Sequence, residues 1–262
     1  MAGLIEIKDL KKSYGAHKVL GGLNLTINEG ETVVIIGPSG VGKSVLLKHI
    51  IGISKPDDGQ VIVGGVNITD LDGGQLLRAI KRMGMLFQGG ALFDSMTIED
   101  NVGFYLTEHD DHASGTRLNR ADLTLRVDEA LTMVGLHGTQ NKLPNELSGG
   151  MRKRAALARL IAYRPSILLY DEPTTGLDPI TSMQISELIY KIQRELKATS
   201  VVVTHDLTSA LYIADQLALL RDGVIAHFGP PEDFIKIHDP IIDSFKRNFT
   251  QDPLSLRRQR DE

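Results

Sequence analysis

Cysteine is absent from this chain of 262 residues, and no apolar run approaches the length of a membrane span. Without cysteine there is neither a disulfide framework nor a thiolate metal site. A membrane-spanning helix needs about 20 consecutive apolar residues, so we expect no transmembrane segment. No charged and then apolar leader opens the sequence, so we also expect no signal peptide. These absences predict a cytoplasmic protein that reaches any membrane only through a partner.

A strong charge of either sign is also lacking, since the formal net charge is −4. This balance argues against broad nucleic-acid binding, which requires a basic surface. Apolar residues make up 42% of the chain, which is enough for the core of one large α/β domain with a smaller lobe.

The segment GPSGVGKS matches the phosphate-binding pattern G-x-x-x-x-G-K-[ST] at every fixed position. It follows a strand-like run at 32–36 and opens a predicted helix at 43–51, which is the context of a P-loop rather than of a ligand-free turn. Glycines let the backbone curl around phosphate, and the helix adds its positive N-terminal end. Lys43 is predicted to reach the β- and γ-phosphates and Ser44 to bind Mg²⁺. The predicted nucleotide-binding residues here are Gly37, Pro38, Ser39, Gly40, Val41, Gly42, Lys43 and Ser44.

Two acidic residues end the apolar run ILLYDE at 167–172. Such a run is typical of a central parallel strand that is covered on both faces. Ligands in open α/β sheets bind at the carboxyl ends of strands, so Asp171 is predicted to lie beside the P-loop and hold Mg²⁺. Glu172 is the predicted catalytic base, which would orient and deprotonate the water that attacks the γ-phosphate.

A third motif, LSGGM at 147–151, precedes a helical pattern rich in alanine, leucine and arginine. Ser148 is a predicted N-cap, and Gly149 and Gly150 allow close backbone approach. This helix start is a second anion-binding element, far from the P-loop in sequence. One chain therefore carries two phosphate-binding elements, and we infer that the second meets the nucleotide of a partner subunit. The alternative is a plain capped helix, which the co-occurrence with a P-loop makes the weaker interpretation.

These motifs together make the chain resemble the nucleotide-binding subunits of ATP-binding cassette (ABC) transporters, from about residue 5 to 245. The resemblance implies that Tyr14 stacks on adenine. It implies that Gln88 contacts Mg²⁺ and the attacking water and senses a transmembrane partner. The implied metal ligands are then Ser44, Gln88 and Asp171.

The same resemblance implies a site shared between two copies of the chain. Ser148, Gly149 and Gly150 would touch the γ-phosphate bound to the other copy. The loop at 176–178 would couple the two sites, and His205 would grip the γ-phosphate. The implied catalytic residues are Glu172, His205 and Gln88, and the implied cofactors are ATP and Mg²⁺.

A narrower resemblance rests on FQGGALFDS at 87–95, TIEDNV at 97–102 and LSGGMRKRAALAR at 147–159. These segments are similar to the Mla-type (maintenance of lipid asymmetry) ATPases. Those ATPases work with a permease and a lipid-binding MCE-domain protein to move phospholipid between envelope membranes. The resemblance implies that function, those partners, and a location on the cytoplasmic face of the inner membrane through the permease.

Proteins with other functions contain the same nucleotide-binding motifs. An importer ATPase for another solute is one alternative, and a soluble ABC ATPase such as an iron–sulfur assembly factor is another. The second would differ at the partner surface, and the segment 87–95 favours transport. Mechanical ABC proteins of DNA repair or translation need a coiled-coil insertion or a second cassette, and this sequence contains neither.

The predicted fold is α/β, a P-loop NTPase of ABC type with a mixed-sheet core, an antiparallel β layer and a helical lobe. Predicted strands of the antiparallel layer lie at 4–10, 18–27 and 60–63. Predicted helices of the lobe, which spans about 89–164, lie at 97–106, 120–134 and 149–163. Strand and helix alternate from 166 to 228, which predicts a parallel sheet.

The ATP-binding domain is predicted to span 1–247, followed by a C-terminal tail at 248–262. The tail either packs on the neighbouring subunit or is a disordered polar end. The acid- and histidine-rich segment 108–112 is interpreted as a solvated loop rather than a metal site. The basic run 152–154 is interpreted as a solvated helix face rather than as a site for nucleotide phosphate or an acidic partner.

Overall fold

The computed structural model describes residues 3–111, 115–246, 254, 255 and 260. The chain forms two compact units. The first combines the described parts of Met1–Met83 and Thr199–Glu262, and the second is Gly84–Ala198. No helix in the described ranges combines the length and the apolar character that crossing a membrane requires.

The first unit contains two sheets and five helices among its described residues. Its strands are β1 (Ile5–Tyr14), β2 (His17–Ile27), β3 (Thr32–Ile36), β4 (Asp58–Val63), β5 (Val66–Asn67), β8 (Thr199–Thr204), β9 (Gln216–Arg221) and β10 (Val224–Gly229). Its helices are α1 (Lys43–Ile50), α2 (Gly73–Ile80), α7 (Leu207–Ile213), α8 (Pro231–Phe234) and α9 (Pro240–Lys246).

The antiparallel layer has the strand order β2-β1-β4-β5. Its central strand β1 pairs Ile5 with Ile27 of β2 and with Val63 of β4. All three of these side chains are buried, as expected where alternate residues of a strand face one side. The predicted antiparallel layer is therefore present, and the predicted strands agree with β1, β2 and β4.

The mixed sheet of this unit has β3 between two parallel neighbours, β8 and β9. Every residue of β3 and of β8 is buried, which is typical of central parallel strands covered on both faces. The register pairs Ile36 with Thr204, so the last residues of β3 and β8 are direct neighbours. The loops that follow these two strands therefore start from the same edge of the sheet.

The mixed-sheet core is confirmed, whereas the parallel pairing predicted from the alternation at 166–228 is wrong at β10, which pairs antiparallel with β9. Only Asp222 and Gly223 connect the two strands, and a parallel crossover needs a dozen or more residues. Both residues have positive φ, 51° and 76°, which is the backbone of a tight hairpin turn. An Asp-Gly pair is the sequence signal for that turn.

The second unit contains two neighbouring strands and a set of packed helices. The strands are β6 (Met83–Leu86), which begins at the boundary, and β7 (Ile167–Asp171). The helices are α3 (Ile98–Glu108), α4 (Arg120–Met133), α5 (Gly149–Ile161) and α6 (Pro179–Leu196), with a short 3₁₀ helix at Pro144–Glu146. Helices α3, α4 and α5 pack on one another and agree with the predicted helices. The predicted lobe at 89–164 belongs to the same compact unit as β7 and α6, so its boundaries remain a prediction.

Asn101 of α3 organises the loop that leads into its own helix. Its side chain is fully buried, and its Oδ1 accepts a hydrogen bond of 2.8 Å from the Phe93 N–H. Its Nδ2 lies 3.0, 3.1 and 3.0 Å from the carbonyl oxygens of Phe93, Met96 and Thr97. One side chain thus binds main-chain groups of three residues that precede its helix.

We expect Asn101→Ala to lower the free energy of unfolding by about 2–4 kcal/mol, because it leaves several buried main-chain groups without a partner. Chemical denaturation followed by circular dichroism would measure the loss. The matched control is Asn145→Ala at an exposed asparagine of the same unit, with an expected change within about 0.5 kcal/mol. Equal losses in the two variants would contradict the assigned role of Asn101.

Candidate active site

The loop between β3 and α1 is shaped by its glycines. Gly42 is the N-cap of α1 and has a φ of 107°, in the left-handed region that favours glycine. A Cβ on Gly42 would lie 2.6 Å from Cγ1 of Val19, and one on Gly37 would lie 2.6 Å from the carbonyl oxygen of Leu220. Side chains at these positions would therefore displace the loop from the strands beside it.

Lys43 begins helix α1 and is 5% exposed. Its Nζ donates to the carbonyl oxygens of Gly37 and Pro38, at 2.9 and 3.1 Å, so the ammonium lies over the loop. The first turn of α1 contains no acidic residue, so no side-chain carboxylate of that turn opposes the positive end of the helix. Ser44 follows directly, and the arrangement favours a bound anion.

His205 follows β8 and is exposed, at the edge of the sheet from which Gly37 also starts. The turn is held by Asp206, which caps α7 by accepting a 2.9 Å hydrogen bond from the Thr208 N–H. Tyr14 ends β1 in the same unit, is 52% exposed, and has the Lys12 Nζ 5.6 Å from its ring centroid.

The start of α5 in the second unit has the geometry predicted for it. Ser148 is the N-cap, and its Oγ accepts a 3.3 Å hydrogen bond from the Met151 N–H. A Cβ on Gly149 would meet open space, whereas one on Gly150 would lie 2.8 Å from Cγ2 of Thr181. The first turn has no acidic residue, so this helix start also suits an anion.

The acidic pair stands at the end of β7, as predicted. Asp171 is its last residue and is 6% exposed. Glu172 has a φ of 47°, which is unusual for a residue with a Cβ, and its Oε2 accepts a 3.2 Å hydrogen bond from the Thr175 hydroxyl. Left-handed backbone outside glycine concentrates at functional sites, and nothing in the local sequence signals it here.

The loop after this pair ends in a capped helix. Asp178 is the N-cap of α6 and accepts hydrogen bonds from the N–H and the hydroxyl of Thr181, at 3.0 and 2.6 Å. These bonds, the hydroxyl one foremost, lower the pKa of the Asp178 carboxyl. The loop at 176–178 is thereby tied to the first turn of α6.

The interpretation of the basic run as a solvated helix face is wrong at Lys153. Arg152 is exposed, but Lys153 is 7% exposed and its Nζ donates to the carbonyl oxygen of Gln88. Arg154 donates a 2.7 Å hydrogen bond to Oε1 of Gln184. Helical periodicity, and not charge, decides which of three adjacent residues faces the core, and here that residue is Lys153.

The interpretation of the segment 108–112 as a solvated loop is wrong at Asp111, whereas residues 108–110 are exposed. Asp111 is buried, and one of its carboxylate oxygens lies 3.6 Å from Arg126. His112 lies outside the described residues. Among the residues that the structure describes, no three or more histidine, aspartate or glutamate side chains are grouped so that they could hold a metal ion.

The predicted magnesium ligands fit that ion by their chemistry. Mg²⁺ takes oxygen ligands, and Ser44, Gln88 and Asp171 offer a hydroxyl, an amide and a carboxylate oxygen. Ser44 belongs to the first unit, and Gln88 and Asp171 belong to the second. The first unit thus brings together the P-loop and His205, and the second brings together Gln88, Lys153 and the start of α5.

Comparison with known proteins gives a consistent result. The family model described as ABC transporter matches residues 20–175. The chain is 38% identical over 258 residues to the probable ribonucleotide transport ATP-binding protein mkl of Mycobacterium tuberculosis, covering 98% of this chain and 70% of that protein. It is 39% identical over 254 residues to the intermembrane phospholipid transport system ATP-binding protein MlaF of Haemophilus influenzae, covering 97% and 94%.

A solved structure extends the likeness to the fold. The ATP-binding cassette MJ0796, in a dimeric post-hydrolysis state bound to ADP and phosphate, superposes with a TM-score of 0.77. The two chains are 35% identical, and the match covers 87% of this chain and 98% of the other. The α/β fold with a mixed sheet, an antiparallel layer and packed helices is that of an ATP-binding cassette.

Proposed function

Because this chain belongs to the ABC transporter family and is an ATPase of that family, we propose that it drives phospholipid transport between envelope membranes. The observation that carries the proposal is the match to MlaF, which runs over nearly the whole of both proteins. The runner-up is another cargo, since mkl is named for ribonucleotide transport. Transport of either cargo would use the same ATPase, so the ATP chemistry does not distinguish them.

Our proposal places two nucleotides between two copies of the chain arranged head to tail. Each site would join Lys43, Ser44, Gln88, Asp171, Glu172 and His205 of one copy to Ser148 and Gly150 of the other. Two observations support the arrangement. Each unit has a helix start whose first turn lacks acidic residues and therefore suits an anion, at Lys43 and at Gly149, and the similar cassette MJ0796 is dimeric.

The chemistry follows from charge and position. Main-chain N–H groups of 37–42 and the Lys43 ammonium would hold the phosphates, and the exposed ring of Tyr14 would stack on adenine. Glu172 would take a proton from the water that attacks the γ-phosphorus, while the bond to the bridging oxygen of ADP breaks. Mg²⁺ held by Ser44, Gln88 and Asp171 would neutralise charge on the phosphate oxygens. His205 would bind the γ-phosphate and sense its loss.

The proposed permease surface is the segment 88–94 of the second unit. Beside it lies a cavity of about 230 Å³, lined by Phe87, Phe104, Tyr105 and Arg159 among others. The described residues of the lining are mostly apolar and aromatic, with Arg159 as the one charged member, so we propose that the cavity receives an apolar side chain of the permease. Through such a permease the chain would sit on the cytoplasmic face of the inner membrane, with an MCE-domain protein in the same complex.

The domain boundaries are part of the proposal, with an ATP-binding domain at 1–247 and a tail at 248–262. Most of the tail, including Arg257 and Arg258, lies outside the described residues. Of its described residues, Leu254 is buried and Arg260 donates a hydrogen bond to the carbonyl oxygen of Tyr212 in the same chain. Packing of the tail on a neighbouring subunit remains a prediction.

The test is an affinity purification of the Glu172→Gln form from detergent-solubilised membranes, with mass spectrometry of proteins and lipids. We expect a polytopic permease, an MCE-domain protein and bound phospholipid. A Lys43→Ala form purified in parallel controls for contacts that do not depend on ATP. Recovery of a permease with a soluble solute-binding protein would show transport of a cargo other than phospholipid. Enrichment of soluble partners alone would refute a role in transport.

A further inference from the structure

Two basic residues of α5 fasten this helix to the segment 88–93. The Lys153 ammonium donates to the carbonyl oxygen of Gln88, and the Arg159 guanidinium donates to that of Ala91 at 2.5 Å. Arg159 also lies 4.4 Å from the ring centroid of Phe93. The two attachments are six residues apart along the helix, so they hold the segment near both of its ends.

Lys153 is the more unusual of the two attachments, because a buried lysine carries a desolvation cost that a surface lysine does not. Burial lowers the pKa of its ammonium, and the Asp171 carboxylate acts in the opposite direction. Within the described part of the chain, the one polar contact that the structure gives this ammonium is with the main chain of Gln88. An apolar residue would fill the same space without that cost, which points to a role for the charge.

We propose that Lys153 is a positioning residue for ATP hydrolysis, which fixes the main chain of Gln88 through a charge-assisted hydrogen bond. The proposal rests on the role given above to Gln88. Lys153 lies one helical turn from Gly149 and Gly150, which would face the nucleotide of the other copy. A shift of α5 on closure of the dimer is thus transmitted directly to Gln88.

Three substitutions separate the two contributions of the lysine. Lys153→Met removes the donor and the charge, Lys153→Gln keeps a donor, and Lys153→Arg keeps both. In the complex isolated with its membrane partners, we expect Lys153→Met to lower kcat about tenfold or more, with the KM for ATP changed less than about twofold. The Gln form should be intermediate, and the Arg form should recover most of the activity.

A second arm asks whether the lysine acts through Gln88. In a double-mutant cycle, the variant that combines Gln88→Ala with Lys153→Met should be no slower than the slower single variant. The reason is that each substitution disrupts the same function, the positioning of the Gln88 side chain. Hydrogen exchange of peptides covering 85–92 should be faster in Lys153→Met than in the wild type, whatever the activity. Lys191→Met, at an exposed lysine of α6 in the same unit, should leave every readout unchanged.

The outcomes distinguish the inference from the proposed function. Normal kcat and normal exchange in Lys153→Met, beside an impaired Gln88→Ala form, overturn the inference alone. Multiplicative losses in the cycle show that Lys153 does not act through Gln88 and also overturn it. A fully active Gln88→Ala form refutes the role given to Gln88 and removes the inference with it. Loss of kcat without a change in KM, rescued by arginine, supports it.

Discussion

Glu172→Gln is expected to bind ATP with near-normal affinity and to hydrolyse it about 10³-fold more slowly, within the 10²–10⁴-fold range typical of a lost general base. The amide has the same shape as the carboxylate but cannot take a proton from water. Its oxygen can still accept the 3.2 Å hydrogen bond from Thr175, so the loop should keep its structure. Phosphate release under single-turnover conditions would measure the chemical step, and a fluorescent ATP analogue would measure binding.

The same variant should accumulate as an ATP-bound dimer, because closure without hydrolysis leaves no route to opening. Size-exclusion chromatography with light scattering, with and without ATP, would detect the shift in mass. Glu187→Gln, at an exposed glutamate of α6, is the matched control and should behave as the wild type. Normal hydrolysis by Glu172→Gln would show that another group is the base.

Lys43→Met is expected to weaken ATP binding by about 100-fold, since charge-assisted hydrogen bonds to phosphate are among the strongest single contacts in such sites. Methionine keeps most of the buried stem, so the loss isolates the ammonium rather than the packing. The carbonyl oxygens of Gly37 and Pro38 each lose a donor, so we also expect a modest loss of stability. Isothermal titration calorimetry and thermal unfolding would separate the two effects.

The control for this prediction lies on the same helix. Lys48 is exposed in the last turn of α1, so Lys48→Met removes an equal charge away from the loop. It should leave the affinity for ATP within about twofold of the wild type, which corresponds to less than about 0.5 kcal/mol. Similar losses in both variants would mean that general charge, and not the contact of Lys43 with phosphate, attracts the nucleotide.

The parts of the fold that follow from sequence are those whose geometry is local. The P-loop needs only a strand, close-approaching glycines and a helix start, and all three occur within residues 32–50. The helices α3 to α5 follow from their own caps and apolar periodicity. The start of α5 was predicted for the same reason, because Ser148 caps a helix wherever that helix packs.

The parts that the sequence did not reveal depend on distant segments. Helical periodicity turns Lys153 inward, but its partner, the carbonyl oxygen of Gln88, stands 65 residues earlier in the chain and cannot be identified from the helix pattern. The network of Asn101 depends on a loop that folds back on α3, and an asparagine carries no mark of such a role. The turn at Asp222 and Gly223 is different, because its Asp-Gly signal is local. The alternation of strands and helices around it favours a parallel pairing, whereas β10 is antiparallel to β9.

The backbone of Glu172 has a consequence for engineering this protein. A left-handed conformation costs a residue with a Cβ on the order of 1–3 kcal/mol, and glycine or asparagine would be relieved of much of it. Directed evolution for heat tolerance alone would therefore favour glycine at position 172, and it would select proteins that survive heating but have lost turnover. A screen for robust variants should score phosphate release in every round.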